Sequence, residues 1–164
     1  MQKVIVIGCP GCGKSTFSVA LKEKTGIPLY HLDMLYWNAD KSIVEKSVFL
    51  QRLNEVLTKD RWIIDGNYQS TMEKRIIECD TVIFLDYPVE ICLEGIKSRR
   101  GKSRSDIPWV EKIDESDEEF IEFIKNYNQQ NRPKVLELLE KYSYKNICIF
   151  SNREKEQEFL SKLR

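Results

Sequence analysis

Gly8-Cys9-Pro10-Gly11-Cys12-Gly13-Lys14-Ser15 matches G-x-x-x-x-G-K-[ST], and no other stretch of this chain constrains its fold as strongly. The apolar run Val4 to Ile7 precedes it, and an amphipathic stretch from about Lys14 to Lys24, stopped by Gly26 and Pro28, follows it. A strand, a glycine-rich turn and a helix in that order aim successive backbone N–H groups and a positive helix end at one anion. Gly8, Cys9, Pro10, Gly11, Cys12, Gly13, Lys14, Ser15 and Thr16 are therefore expected to cradle a nucleoside triphosphate. Lys14 would reach the β- and γ-phosphates, and the Ser15 hydroxyl would ligate Mg²⁺. Two rival patterns overlap the loop. Cys9-Pro10-Gly11-Cys12 has the C-x-x-C form of thiol redox enzymes, but redox chemistry does not require Gly8, Gly13, Lys14 or Ser15. The dinucleotide fingerprint G-x-G-x-x-G fails, because its third glycine would fall at Thr16.

Strands and helices alternate through all 164 residues with no linker rich in Pro, Gly and Ser, which predicts one α/β domain over residues 1–164. Lys3 to Ile7, Leu29 to Leu32, Trp62 to Ile64, Thr81 to Leu85 and Asn146 to Phe150 read as short continuous apolar runs. That is the pattern of parallel strands covered on both faces. A second helix is expected from Ser42, which has capping-box spacing to Glu45, with Val48, Phe49, Leu53, Val56 and Leu57 on one stripe. Pro88 suits the first turn of a third, with Val89, Cys92, Leu93 and Ile96 inward. Ser116 and Glu119 open a fourth, which Pro133 breaks or restarts, and a short helix carrying Phe159, Leu160 and Leu163 closes the chain. The polar segment 101–115 shows no clear element and is expected to serve as a short lid.

Charge narrows the possible partners. Lys and Arg number 26 and Asp and Glu 26, so nucleic acid, whose affinity rests on phosphate neutralisation, is not the expected ligand. Five scattered cysteines and the absence of a leader-like segment point to a reducing, cytoplasmic setting, and no apolar run is long enough to span a membrane. Monomer and homodimer are equally open.

The reaction has to be read from other residues. Asp33 follows the second strand and should face the γ-phosphate region, where a carboxylate can take the proton of an attacking hydroxyl; a local turn is the alternative. Asp65 follows Trp62-Ile63-Ile64 and is preferred over Asp86 as a carboxylate for Mg²⁺. His31, the sole histidine, is more simply structural. Lys97, Arg99, Arg100, Lys102 and Arg104 cluster where the lid begins, which would let Arg99, Arg100 and Arg104 stabilise the transferring group. A solvated helix end and a nucleic-acid patch compete with that reading, and acids from Glu111 to Glu122 disfavour the patch.

These motifs resemble the P-loop nucleoside and nucleotide kinases, of which adenylate kinase is the best-known member, over nearly the whole chain. Gly8 to Thr16 resembles the adenylate kinase loop, and Asp80 through Arg100 resembles its fourth strand and the helix leading to its lid. Leu29-Tyr30-His31-Leu32-Asp33, Leu35-Tyr36-Trp37, Arg61 to Tyr68 and Gly101-Lys102-Ser103-Arg104 resemble the bacterial DNA topology modulation (FlaR-like) proteins. The resemblance implies a five-stranded parallel sheet in the order 2-3-1-4-5, helices on both faces, and ATP binding, with Arg153 in the base-contacting loop after the last strand. It departs at one telling place. Adenylate kinase carries an arginine for the acceptor phosphate where this chain has Gln69 after Asp65-Gly66-Asn67-Tyr68. Asp33 resembles instead the base of uridine kinase-like enzymes, and Tyr36, Trp37, Asp65, Gly66 and Tyr68 would line the acceptor side. The leading expectation is a kinase acting on a hydroxyl of a small molecule. A monophosphate kinase using Arg52, Arg75 or Arg132, and a nucleotide-dependent DNA-associated regulator, are the alternatives.

Overall fold

Alternating side chains along each strand feed two separate apolar layers, one on either face of the sheet. In the computed structural model, which describes residues 1–40, 42–100 and 117–163, the strands are β1 (Lys3–Gly8), β2 (Leu29–His31), β3 (Trp62–Asp65), β4 (Thr81–Leu85) and β5 (Asn146–Phe150). All pair in parallel in the order β2-β3-β1-β4-β5. Between them run α1 (Lys14–Thr25), α2 (Leu32–Tyr36), α3 (Lys46–Leu57), α4 (Gln69–Glu78), α5 (Val89–Arg99), α6 (Asp117–Gln130), α7 (Arg132–Lys141) and α8 (Arg153–Lys162). The expected lid, Arg104 and Ser116 lie outside the described residues. No described helix is long and apolar enough to cross a membrane.

Val4, Val6, Ile63, Ile83 and Leu85 face Phe17 and Leu21 of α1, Cys92 and Ile96 of α5, Ile124 and Tyr127 of α6 and Leu160 of α8. Ile5, Ile7, Trp62, Ile64, Val82 and Phe84 face Phe49 and Leu53 of α3, Met72 and Ile76 of α4 and Val135 and Leu139 of α7. Each such aliphatic or aromatic side chain contributes roughly 1.5–3 kcal/mol by leaving water. Because the strands run in parallel, their carboxyl ends lie along one edge. Val6 is level with Asp65, His31 with Asp65, and Gly8 with Leu85. The β1–α1 turn opens there, where the chain switches from one side of β1 to the other.

Local details correct several expectations. The second strand ends at His31, and Leu32 starts α2, a five-residue helix too short to leave a periodic signal. The Ser42–Glu45 capping box does not form. Ser42 instead donates its N–H (2.9 Å) and hydroxyl (2.5 Å) to Asp40, and α3 begins at Lys46 with Glu45 in the cap position. Pro88 stands at the N-cap of α5 rather than inside its first turn. Pro133 restarts a helix, lying in the first turn of α7 after the break at Asn131. α4 was not expected at all, although Met72 and Ile76 mark a buried face.

Candidate active site

The phosphate loop is held by close backbone packing that only glycine allows. Gly11 (φ 84°) passes so near α5 that a Cβ there would stand 2.0 Å from the Cys92 carbonyl oxygen. Gly13 (φ 95°) caps α1, and a Cβ there would stand 2.5 Å from Nη1 of Arg153. Left-handed backbone strains any larger side chain at both positions, and at Gly11 the α5 backbone leaves no room for one. Lys14 folds back over the loop, its Nζ donating to the carbonyls of Gly8 (2.9 Å) and Cys9 (3.2 Å). With no acid in the first turn of α1, the concavity presents N–H groups and one ammonium, a setting made for a polyanion. Ser15 lies in that turn, and Thr16 beside it is exposed.

The surroundings of the two loop thiols disfavour their thiolates. Cys9 is hydrogen-bonded to Cys92 and buried, and both push its pKa up. Burial does the same to Cys12, against the pull of Lys14. Reactive thiols need the opposite shift.

Arg153 begins α8 and lies against Gly13. Its guanidinium stacks 4.8 Å above the Tyr87 ring and donates to Glu156 (3.2 and 3.3 Å), which also accepts from the Tyr87 hydroxyl. Arg99 and Arg100 end α5 one turn past the segment that packs on Gly11.

The acceptor side is assembled from α2, α3 and the turn between β3 and α4. Asp33, the second residue of α2, accepts from the Tyr68 hydroxyl at 2.6 Å. The Trp37 side chain is hydrogen-bonded to that same hydroxyl. An indole can only donate, so the Tyr68 oxygen accepts from Trp37 and gives its proton to Asp33. Burial first, and Asp33 second, push the Tyr68 pKa up, which keeps it a donor. Rings surround this relay. Tyr68 lies 5.0 Å from Tyr36 and 5.4 Å from Phe49, and Tyr36 lies 5.6 Å from Trp37. Phe49 was legible only as a core residue of α3. Asp65 is 4 % exposed at the end of β3, and Nδ1 of His31 sits 2.9 Å from both its oxygens. Asn67 accepts from the Gly8 N–H at 3.1 Å, tying this turn to the phosphate loop.

Comparison with known proteins bears on the fold. No family model matches the chain. The shikimate kinase of Bacteroides thetaiotaomicron superposes with a TM-score of 0.56 at 19% identity, covering 98% of this chain and 94% of that one. The chain shares the fold of that protein, here a five-stranded parallel sheet in the order β2-β3-β1-β4-β5. An adenylate kinase from Encephalitozoon cuniculi (strain GB-M1) is 26% identical over 117 residues, 60% of this chain. The match spans 66% of that relative, just short of two thirds of its length.

Each of the three arginines considered for an acceptor phosphate has a partner in the fold. Arg132 pairs bidentately with Asp86 at 2.8 and 2.7 Å, which also occupies the alternative metal carboxylate. Arg52 donates to the Leu35 carbonyl at 3.1 Å. Arg75 is buried under the turn that carries Asn67 and Tyr68.

Proposed function

We propose that this chain is a kinase that moves the γ-phosphoryl group of ATP onto a hydroxyl of a small acceptor bearing a ring, a nucleoside or a comparable hydroxylated metabolite. The observation that carries this reading is the Asp33 carboxylate, held by Tyr68 on the sheet edge where the phosphate loop opens. An acceptor phosphate is already anionic and needs no base, whereas a hydroxyl must lose its proton as it attacks. Asp33 supplies the acceptor for that proton.

The loop N–H groups from Gly8 to Thr16 and Lys14 bind the triphosphate, with Lys14 exchanging its carbonyl partners for phosphate oxygens. Arg99 and Arg100 add positive charge where the phosphoryl group passes, and Arg153 borders the nucleotide beside Gly13. Tyr36, Trp37, Gly66 and Tyr68 hold the acceptor, the rings offering flat apolar surface. Ser15 offers a hard oxygen donor that suits Mg²⁺, and Asp65 would offer a second by exchanging its contact with His31. When bound, that ion neutralises charge building on the β- and γ-oxygens. Among the described residues no group of three or more His, Cys, Asp or Glu forms a metal cage, which fits an ion carried chiefly by the nucleotide.

A monophosphate kinase is the second reading, favoured by the adenylate kinase relative. Against it, among the described residues Arg132 is paired with Asp86 and Arg75 is buried among carbonyls, which leaves Arg52, bonded to the Leu35 carbonyl, as the one of the three that could turn to an acceptor phosphate. Incubation with ATP, Mg²⁺ and panels of nucleosides, hydroxylated metabolites and monophosphates, read by mass spectrometry, separates the two. Phosphate gained on a hydroxyl is expected; gain confined to monophosphates sinks the hydroxyl reading. Duplex DNA at low salt is expected to give a flat titration.

A further inference from the structure

Arg75 has no part in the mechanism above, yet it is 0 % exposed on α4. Its Nη1 donates to the Gly66 carbonyl at 3.0 Å, Nη2 to the carbonyls of Asn67 and Tyr68 (the latter at 3.3 Å), and Nε to Oγ1 of Thr71 at 3.3 Å. None of these partners is a carboxylate. Burial lowers the guanidinium pKa to about 9, which leaves it charged at neutral pH. A buried cation is costly, and here carbonyl dipoles of three successive residues offset that cost, helped by the charge of the Asp65 carboxylate nearby.

Three consecutive carbonyls converge on one cation only if the chain curls tightly. The curl is visible in Tyr68, the only non-glycine residue with positive φ among the described residues (φ 30°, ψ 77°). Such backbone is strained for an L residue and persists only where its surroundings hold it. The strained turn points its adjacent residues in two useful directions. Asn67 takes the Gly8 N–H at 3.1 Å, and Tyr68 gives its hydroxyl to Asp33 at 2.6 Å.

We infer that Arg75 is a positioning residue for phosphoryl transfer: it locks the Gly66-to-Tyr68 turn in the one curl that brings Tyr68 to Asp33 and Asn67 to the phosphate loop. The inference rests on Asp33 being the base. A lysine cannot replace the guanidinium, because a single ammonium does not present a planar fork to three carbonyls.

The test uses the full chain as Arg75→Lys, Tyr68→Phe, the double variant and Asp33→Asn. The first readout is the side-chain carboxyl ¹³C resonance of Asp33, assigned by its loss in Asp33→Asn, together with the Gly8 amide proton. Arg75→Lys is expected to move the Asp33 resonance in the direction that Tyr68→Phe does, with no further movement in the double variant. Only the variants at Arg75 should also shift the Gly8 amide. The second readout is phosphate release from ATP with Mg²⁺, water serving as acceptor. Arg75→Lys and Tyr68→Phe are each expected to lower kcat about tenfold and leave the KM for ATP within about twofold, and the double variant about tenfold again rather than a hundredfold. An unmoved Asp33 resonance in Arg75→Lys, or multiplicative losses in the double variant, overturns the inference. Should Arg75→Lys lose its cooperative melt, Thr71→Val, which removes the oxygen seating Nε, takes its place. It must then move the Asp33 resonance. If Asp33→Asn leaves phosphate release unchanged, the base assignment fails on its own, and the resonances still decide the role of Arg75.

Discussion

The phosphate loop is eight consecutive residues that work mainly through their backbone, whereas the setting of Asp33 is made of side chains that meet only in the folded chain. Tyr68 reaches Asp33 across 35 residues of sequence; Trp37, at the end of the helix that carries Asp33, and Arg75, on the helix that Tyr68 caps, complete the arrangement. Lys14 apart, a backbone site tolerates change at its side chains but not in its glycines. A side-chain site is the reverse: its residues can be exchanged without unfolding the protein, so one scaffold can serve different acceptors.

This contrast fails at once if changes on the acceptor half abolish nucleotide binding, and four experiments probe it. Lys14→Met should have the largest effect, cutting turnover by about 10³-fold or more and weakening ATP binding, with the thermal melt retained. Calorimetry showing undiminished ATP affinity would remove Lys14 from the phosphates. Asp33→Asn should cut turnover by about 10²–10³-fold while the ATP dissociation constant stays within about twofold. Equal losses in both quantities would show the halves to be inseparable. Gly11→Ala should destabilise the fold by about 2–3 kcal/mol in denaturant titration and abolish ATP binding, because the added methyl meets the Cys92 carbonyl.

The smallest effect concerns pH. The Tyr68 pKa is raised in the fold above its ordinary value near 10. Its contribution is therefore intact below pH 10 and lost as pH rises further, because only the unfolded chain ionises there. The loss is about 1 kcal/mol at pH 10.5. Urea midpoints at pH 8 and 10.5 should converge in Tyr68→Phe relative to wild type; an identical pH response would show that the hydroxyl is not buried against Asp33.

Legibility in the sequence follows the same division. The glycine loop, the five strands and their parallel pairing are written locally, in one motif and in short apolar runs. Asp33 and Asp65 could be placed because a residue that follows a parallel strand must lie at the sheet edge. Their partners could not. Nothing local tells that His31 lies on Asp65 or that the hydroxyl of Tyr68 points at a carboxylate rather than at an acceptor. In the sequence Arg75 is one of three arginines that could stand in for the acceptor-phosphate arginine missing at Gln69. Only tertiary packing shows it enclosed by carbonyls. Asp86 likewise resembled a metal ligand or helix-start acid until Arg132, from α7, was found on it.

Asn67 and Tyr68 are neighbours in the chain, one bonded to the donor loop and the other to Asp33. A single rigid turn thus shares its free energy between two binding events. Linkage then imposes a reciprocity: whatever factor nucleotide binding applies to acceptor affinity, acceptor binding applies to nucleotide affinity, with the same sign and size.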